Sequence, residues 1–149
     1  MYTHKDQNVL GVVFCLHLLY HAAISDLTRV SLPGFAFPSA TAFQEAPLDF
    51  LSQCQRRCHF HAEKVSDLIR KSRSHGRMAF DDPIVADVAF ESAKIQIIFA
   101  ATLQGDADSM HAASHNIRTN IDLLGILSND NKGSSPYVRS HPHSKSLVT

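Results

Sequence analysis

Cys54, Cys58, His59 and His61 fall within eight positions of one run, CQRRCHFHAEK. Thiolate and imidazole are the usual ligands of zinc, so this run is the first place to look for a metal. Cys54, Cys58 and His61 would share one face of a helix. A structural zinc ion, however, needs ligand pairs from two elements, because one helix cannot wrap a tetrahedral ion. The chain has three cysteines, and Cys15 stands alone. The plainer reading places Cys54 and Cys58 at core positions, where a free thiol packs as a small hydrophobe. No metal ligand is assigned.

Other candidate chemistry thins out in the same way. His17 and His21 are four apart, but the Glu that would follow the first His in a zinc-protease helix is replaced by Leu18. His141 and His143 lie in a polar, Ser-rich stretch that reads as solvated. No G-x-S-x-G elbow, phosphate loop or G-x-G-x-x-G turn occurs. Glu91 and Lys94 are spaced as a helical ion pair, on the surface or between helices, rather than as a catalytic dyad. No catalytic or cofactor-binding residue is assigned, and the chain is expected not to be an enzyme.

Composition narrows the partners. The 149 residues suit one modest domain, and a hydrophobic fraction of 44% suffices for a core. Formal net charge is zero. A protein that grips nucleic acid carries a basic excess, so direct contact with nucleic acid is not expected. Nor is a polybasic membrane patch expected. An odd cysteine count points to a reducing compartment rather than a disulfide framework. The run VLGVVFCLHLLYHAAI, Val9 to Ile24, mimics a signal peptide or membrane span. His17, His21, a missing small-x-small site and its short length favour a buried core helix instead.

Four elements must hold these side chains. The first helix is expected from Asn8 to Ser31, stopped by Pro33-Gly34. Its front half is apolar on nearly every side, which implies burial on every side. In its back half Tyr20, Ala23, Ile24, Leu27 and Val30 form the core face, opposite Ser25, Asp26, Thr28 and Arg29. A loop with Phe35, Phe37 and Phe43 follows, its aromatic rings tucked onto the helices. The second helix opens at Pro47 and carries a stripe of Leu51, Cys54, Cys58, Ala62, Val65 and Leu68, with Asp67 paired to Lys71 and Gly76 just past its end. The third opens at Asp82-Pro83 and buries Val85, Val88, Ile95 and Phe99, widened by Ile84, Ile98 and Leu103; Gly105 ends it. The fourth runs from about Asp106 to Ser128 on Met110, Ala113, Ile117, Ile121 and Leu124. Short turns favour antiparallel neighbours. Residues 129–149 are polar, aperiodic and read as disordered. The fold expected is an all-α, four-helix array over residues 1–128.

Four stretches in this order resemble one family. They are LHLLYHAAISDLTRVSLPGF (Leu16–Phe35), APLDFLSQCQRRCHFHAEKVSDLI (Ala46–Ile69), FESAKIQIIFAA (Phe90–Ala101) and NIRTNIDLL (Asn116–Leu124). Together they look like the fungal-specific transcription factor domain, the middle homology region of fungal Zn2Cys6 regulators. Phe90 and Lys94 stand where the family more often has Tyr and Arg, so ring and charge are kept. The likeness covers the C-terminal part of that domain, which is longer toward its N-terminus.

The resemblance implies a nuclear, helical regulatory module acting in RNA polymerase II transcription, with the rest of the transcription factor or coregulator proteins as partners. The family's DNA-reading cluster of six cysteines around two zinc ions is absent, so no cofactor is expected. Three dispersed thiols cannot replace it. With the family's further helices missing, an exposed apolar patch is expected near Val9 to Leu19, open to self-association. Two alternatives stand beside this reading. One is a helical-bundle metal-binding protein using Cys58, His59 and His61. The other is a non-functional truncated product, a fragment or short gene model.

Overall fold

The computed structural model describes residues 4–35, 43, 45–75, 80, 82–103 and 107–133. Four α-helices and no strand occur among them: α1 (His4–Thr28), α2 (Leu48–Ser72), α3 (Ile84–Thr102) and α4 (Ala107–Gly133). The all-α array expected from the periodicity is therefore present. A 3-10 turn, Arg29–Ser31, extends α1, and another, Arg73–His75, extends α2. α4 continues five residues past the expected end at Ser128. Gly76, Gly105, Phe37 and residues 134–149 lie outside the described residues.

Local chemistry explains the boundaries. Asp82 Oδ1 accepts the Ile84 N–H at 3.0 Å, and the Asp82 carbonyl accepts from Val85. The aspartate thus satisfies two donors that the start of a helix leaves open. Pro47 precedes α2 with an extended ψ of 138°, one position before the helix proper. After α1 the chain reverses at Gly34, whose φ of +86° suits a residue without a Cβ. That turn buries Leu32 and brings Phe35 beneath two cations: the Arg29 guanidinium lies 5.6 Å and Lys94 Nζ 5.7 Å from its ring centre.

α2 is the central element, packed against α1, α3 and α4. The α1–α2 contacts run in opposite directions along the chain, His21 to His61, Ser25 to Cys58 and Ser31 to Gln55, so the pair is antiparallel. Two apolar clusters form the core. One joins Phe14 and Leu18 of α1 to Val65 and Ile69 of α2, Val85 and Val88 of α3, and Leu123 of α4. The other holds Leu32, Cys58, Ala62, Ile95 and Phe99. Phe80 closes the first cluster, edge-on to Phe14 at 5.4 Å.

Two expected faces are turned, those of α1 and α4. Among the α1 residues from Val9 onward, Phe14, Leu18 and Ser25 are buried, while Tyr20, Ala23 and Leu27, expected inside, are exposed. A helix apolar on both sides does not announce which side meets its neighbour. The choice falls to the side with small residues, Ala22 and Ser25, which let α1 and α2 approach closely. In α4, Met110 and Ile121 face solvent, and Thr119, Asn120 and Leu123 are buried in their place. In α2 the expected stripe is buried at Cys58, Ala62 and Val65 and half-buried at Leu51, Cys54 and Leu68, while Ser66 and Ile69, outside it, are fully buried. The Val85, Val88, Ile95 and Phe99 stripe of α3 is buried as expected, whereas Leu103 is exposed.

These faces separate two readings of stability. Ile69→Ala should lower unfolding free energy by about 2–5 kcal/mol, as for a fully buried aliphatic side chain. Ile121→Ala should change it by no more than about 0.5 kcal/mol, as on an open surface. Urea denaturation of both variants checks the assignment; the reverse order would contradict it.

Candidate functional site

The residues singled out for chemistry do not converge. Cys58, His59 and His61 leave α2 toward three different surroundings. Cys58 is fully buried against α1, where Ser25 Oγ donates to its carbonyl at 3.4 Å and its thiol donates to the Ser25 carbonyl at 3.5 Å. Burial pushes the Cys58 thiol up to about 12, so it stays protonated and is neither a ready ligand nor a nucleophile. His59 stacks on Phe99 of α3, ring centres 4.0 Å apart and 13° from parallel. His61 meets His21 of α1. Among the described residues no group of three His, Cys, Asp or Glu side chains is arranged to hold a metal ion. The shared face expected for Cys54, Cys58 and His61 is real for the last two, which both meet α1, but they engage different atoms.

The His21–His61 contact is the most chemically distinctive of the interhelical pairs. Their Nδ1 atoms lie 2.8 Å apart. Two neutral imidazoles can hold this contact, one donating and one accepting; two imidazoliums cannot, since both nitrogens would then be donors. Tyr20 and Phe60 flank the pair edge-on. Burial lowers both pKa values from the ordinary 6.5. Neighbouring His17 and Lys64 lower that of His21 further, and His21 and Arg57 do the same for His61. His59 is also lowered, chiefly by burial, with Glu63 opposing.

A second polar group sits deeper, between α2, α3 and α4. Gln96 and Asn120 are fully buried. Gln96 Nε2 donates to Ser66 Oγ at 2.8 Å and to Ser92 Oγ at 3.1 Å, and Asn120 Nδ2 donates to Ser92 Oγ at 3.2 Å. Ser92 Oγ in turn donates to the Ala62 carbonyl at 2.8 Å. Ser92 thus uses its single donor and both acceptor positions. The amide oxygens Gln96 Oε1 and Asn120 Oδ1 have no partner among the described residues. Nothing in the sequence pattern separates these from surface polar residues, except that Ala89, Ser92, Ala93 and Gln96 form a run of small or polar positions beside the apolar stripe.

Ion pairs close the outer edge. Arg29 reaches Glu91 at 2.9 Å, and Lys94 reaches the same carboxylate at 3.0 Å. The Glu91–Lys94 pair read from spacing is thus part of a link between α1 and α3. Asp67 pairs with Lys71 at 2.8 Å, as the spacing suggests, and with Arg70. A cavity of about 140 Å³ lies behind Glu91, lined by Ala22, Ser25, Val65, Val88 and Ser92. It is smaller than the usual site for a drug-sized ligand. The hydroxyl or thiol hydrogens of Ser25, Cys58, Ser92 and Thr119 all go to backbone carbonyls, so none is activated by a base.

One long surface remains open. Along α1, Val9, Val12, Val13, Leu16, Leu19, Tyr20 and Leu27 are each at least 43% exposed. The exposed patch expected near Val9 to Leu19 is present and extends to Leu27. The stretch Val9–Ser31 is long and apolar enough to cross a membrane by length and composition, because no charge interrupts it before Asp26. The shorter span expected from the sequence counted only as far as Ile24. Comparison with models of known families, with curated proteins and with solved structures finds no significant match to this chain.

The histidine pair has a definite pH signature. With pKa values lowered in the folded state, the unfolded chain binds protons first as the pH falls. Stability from this source is complete above about pH 6.5 and is lost below it. The melting temperature should therefore hold above about pH 6.5 and drop as the pH falls below it, and the drop should be shallower in His61→Gln. Parallel pH profiles for the two proteins would show that the pair does not titrate as its geometry requires.

Proposed function

We propose that the chain is a regulatory and interaction module of a fungal RNA polymerase II transcription factor, nuclear and non-catalytic, acting through the surface its helices present. The reading rests on the four stretches that resemble the fungal-specific transcription factor domain. One observation supports it: those stretches are the ones that bond to each other. His21, Ser25 and Arg29 of the first reach Cys58 and His61 of the second and Glu91 of the third. Ala62 and Ser66 of the second reach Ser92 and Gln96 of the third. Asn120 of the fourth closes on Ser92. The residues that carry the likeness thus build the interhelical frame, as expected if what is kept in common is a folded scaffold. Its partners are the remainder of such a factor or coregulator proteins, with DNA contact made elsewhere.

A tethering assay tests this. The full chain is fused between a heterologous DNA-binding domain and an activation segment, and a reporter is measured in yeast. A several-fold change in output, abolished by Ile95→Asp, is expected of a regulatory module. Output equal to that of a fusion carrying an unrelated helical domain of the same size would contradict it.

A further inference from the structure

The open face of α1 has a spacing of its own. Val9, Val13, Leu16, Tyr20, Ala23 and Leu27 follow one another at intervals of four, three, four, three and four, and all six are exposed. This is the a/d repeat of a coiled-coil seam, sustained for about 27 Å at 1.5 Å per residue. It lies opposite Phe14, Leu18 and Ser25, the residues α1 buries in its own bundle. α1 therefore carries two seams: one used within the chain, one free.

We propose that the free seam pairs with the same seam of a second copy, antiparallel, making the protein a two-fold symmetric dimer. Three observations choose this occupant. First, the face is broad as well as long: Val12 and Leu19 flank the seam, and both are exposed like its large members Val9, Val13, Leu16, Tyr20 and Leu27, so a second helix has apolar surface to cover along its whole length. Second, no charged residue lies on α1 between Val9 and Ser25, so two copies meet without like-charge repulsion across most of the seam. Third, the side-chain volumes complement each other when the helix is reversed about its middle. Val13 then faces Ala23, Leu16 faces Tyr20, and Val9 faces Leu27. A parallel pair would set Tyr20 on Tyr20 and leave Ala23 opposite Ala23, which packs unevenly. An isologous contact of this kind closes on itself and stops at two.

Further helices of the same factor, on the function proposed above, and a bilayer are the competing occupants; the first would leave the chain monomeric by itself, and the bilayer fits less well. α1 is bonded on its other side to α2 through His21–His61 and Ser25–Cys58. α2 carries Arg56, Arg57 and Lys64 along the same length, and inserting α1 would draw those charges toward hydrocarbon.

Sedimentation velocity of the full chain should give twice 16.5 kDa at tens of micromolar, by the ordinary affinity of such interfaces. Leu16→Glu, at an exposed position, should keep the helical circular dichroism and melting profile yet sediment as a monomer. For register, Cys15→Ser and Cys54→Ser are introduced, leaving Cys58 buried. Leu19→Cys on that background should then form a disulfide dimer on oxidation, and Val13→Cys should not, because only residue 19 lies near the two-fold axis. A wild-type monomer, or a dimer that survives Leu16→Glu, would overturn the proposal. So would cross-linking through Val13→Cys instead of Leu19→Cys. A monomer that binds neutral phosphatidylcholine vesicles would overturn it in favour of the bilayer.

Discussion

Burying an amide obliges the structure to answer it with partners, and the placing of Gln96 is governed by that demand. Its side chain lies wholly inside, where an unpaired amide costs about 1–3 kcal/mol. The Nε2 donors are met by Ser66 of α2 at 2.8 Å and Ser92 of α3 at 3.1 Å, with the Ala62 carbonyl of α2 at 3.3 Å. Ser92 must at the same time accept from Asn120 of α4. One small hydroxyl therefore ties the axial positions of three helices together. Sliding any of them by a single turn, 5.4 Å, would strand two or three buried polar groups. Apolar stripes tolerate such a slip far better, since leucine and isoleucine meet almost anything at the right volume. Both amide oxygens are left unpartnered among the described residues, so the network's role rests on its geometry. Its effect is to select one register.

α1 stands outside that network and is held differently. It joins the bundle through Phe14 and Leu18, the Ser25–Cys58 exchange, the two histidines and the Arg29–Glu91 pair. These contacts lie on one side, so half of a strongly apolar helix is left uncovered. The structure thus divides into a three-helix unit fixed by internal hydrogen bonds and a helix that serves as its outward-facing edge. The interaction role proposed above would draw on this uncovered side of α1. A contiguous apolar surface of this extent is ordinarily covered by something.

How much of this was legible in the sequence depends on the contrast between faces. α3 was read correctly in its apolar stripe because Asp87, Glu91 and Lys94 interrupt it. The Asp82-Pro83 start was legible because capping is local chemistry. α4 was misread because its register is set by Asn120 and Thr119, polar residues that periodicity assigns to water. α1 was misread for the opposite reason: with apolar residues on all sides, nothing marks which side is used. The His21–His61 contact joins residues forty apart, a separation that spacing along one helix does not reveal. The separation of Cys58 from His59 and His61 follows from helix geometry, since successive residues turn by about 100°. Yet only the positions of α1 and α3 show what each one meets.

The buried amide network, more than the apolar stripes, sets how α2, α3 and α4 meet. A double-mutant cycle between Ser66→Ala and Gln96→Met, read by urea denaturation, tests it most directly. The account predicts a coupling of about 1 kcal/mol or more between two side chains that share a buried bond. It also predicts that the double variant, freed of its buried amide, loses near-ultraviolet dichroism more than it loses stability. Additive effects within about 0.3 kcal/mol, with side-chain order intact, would contradict it.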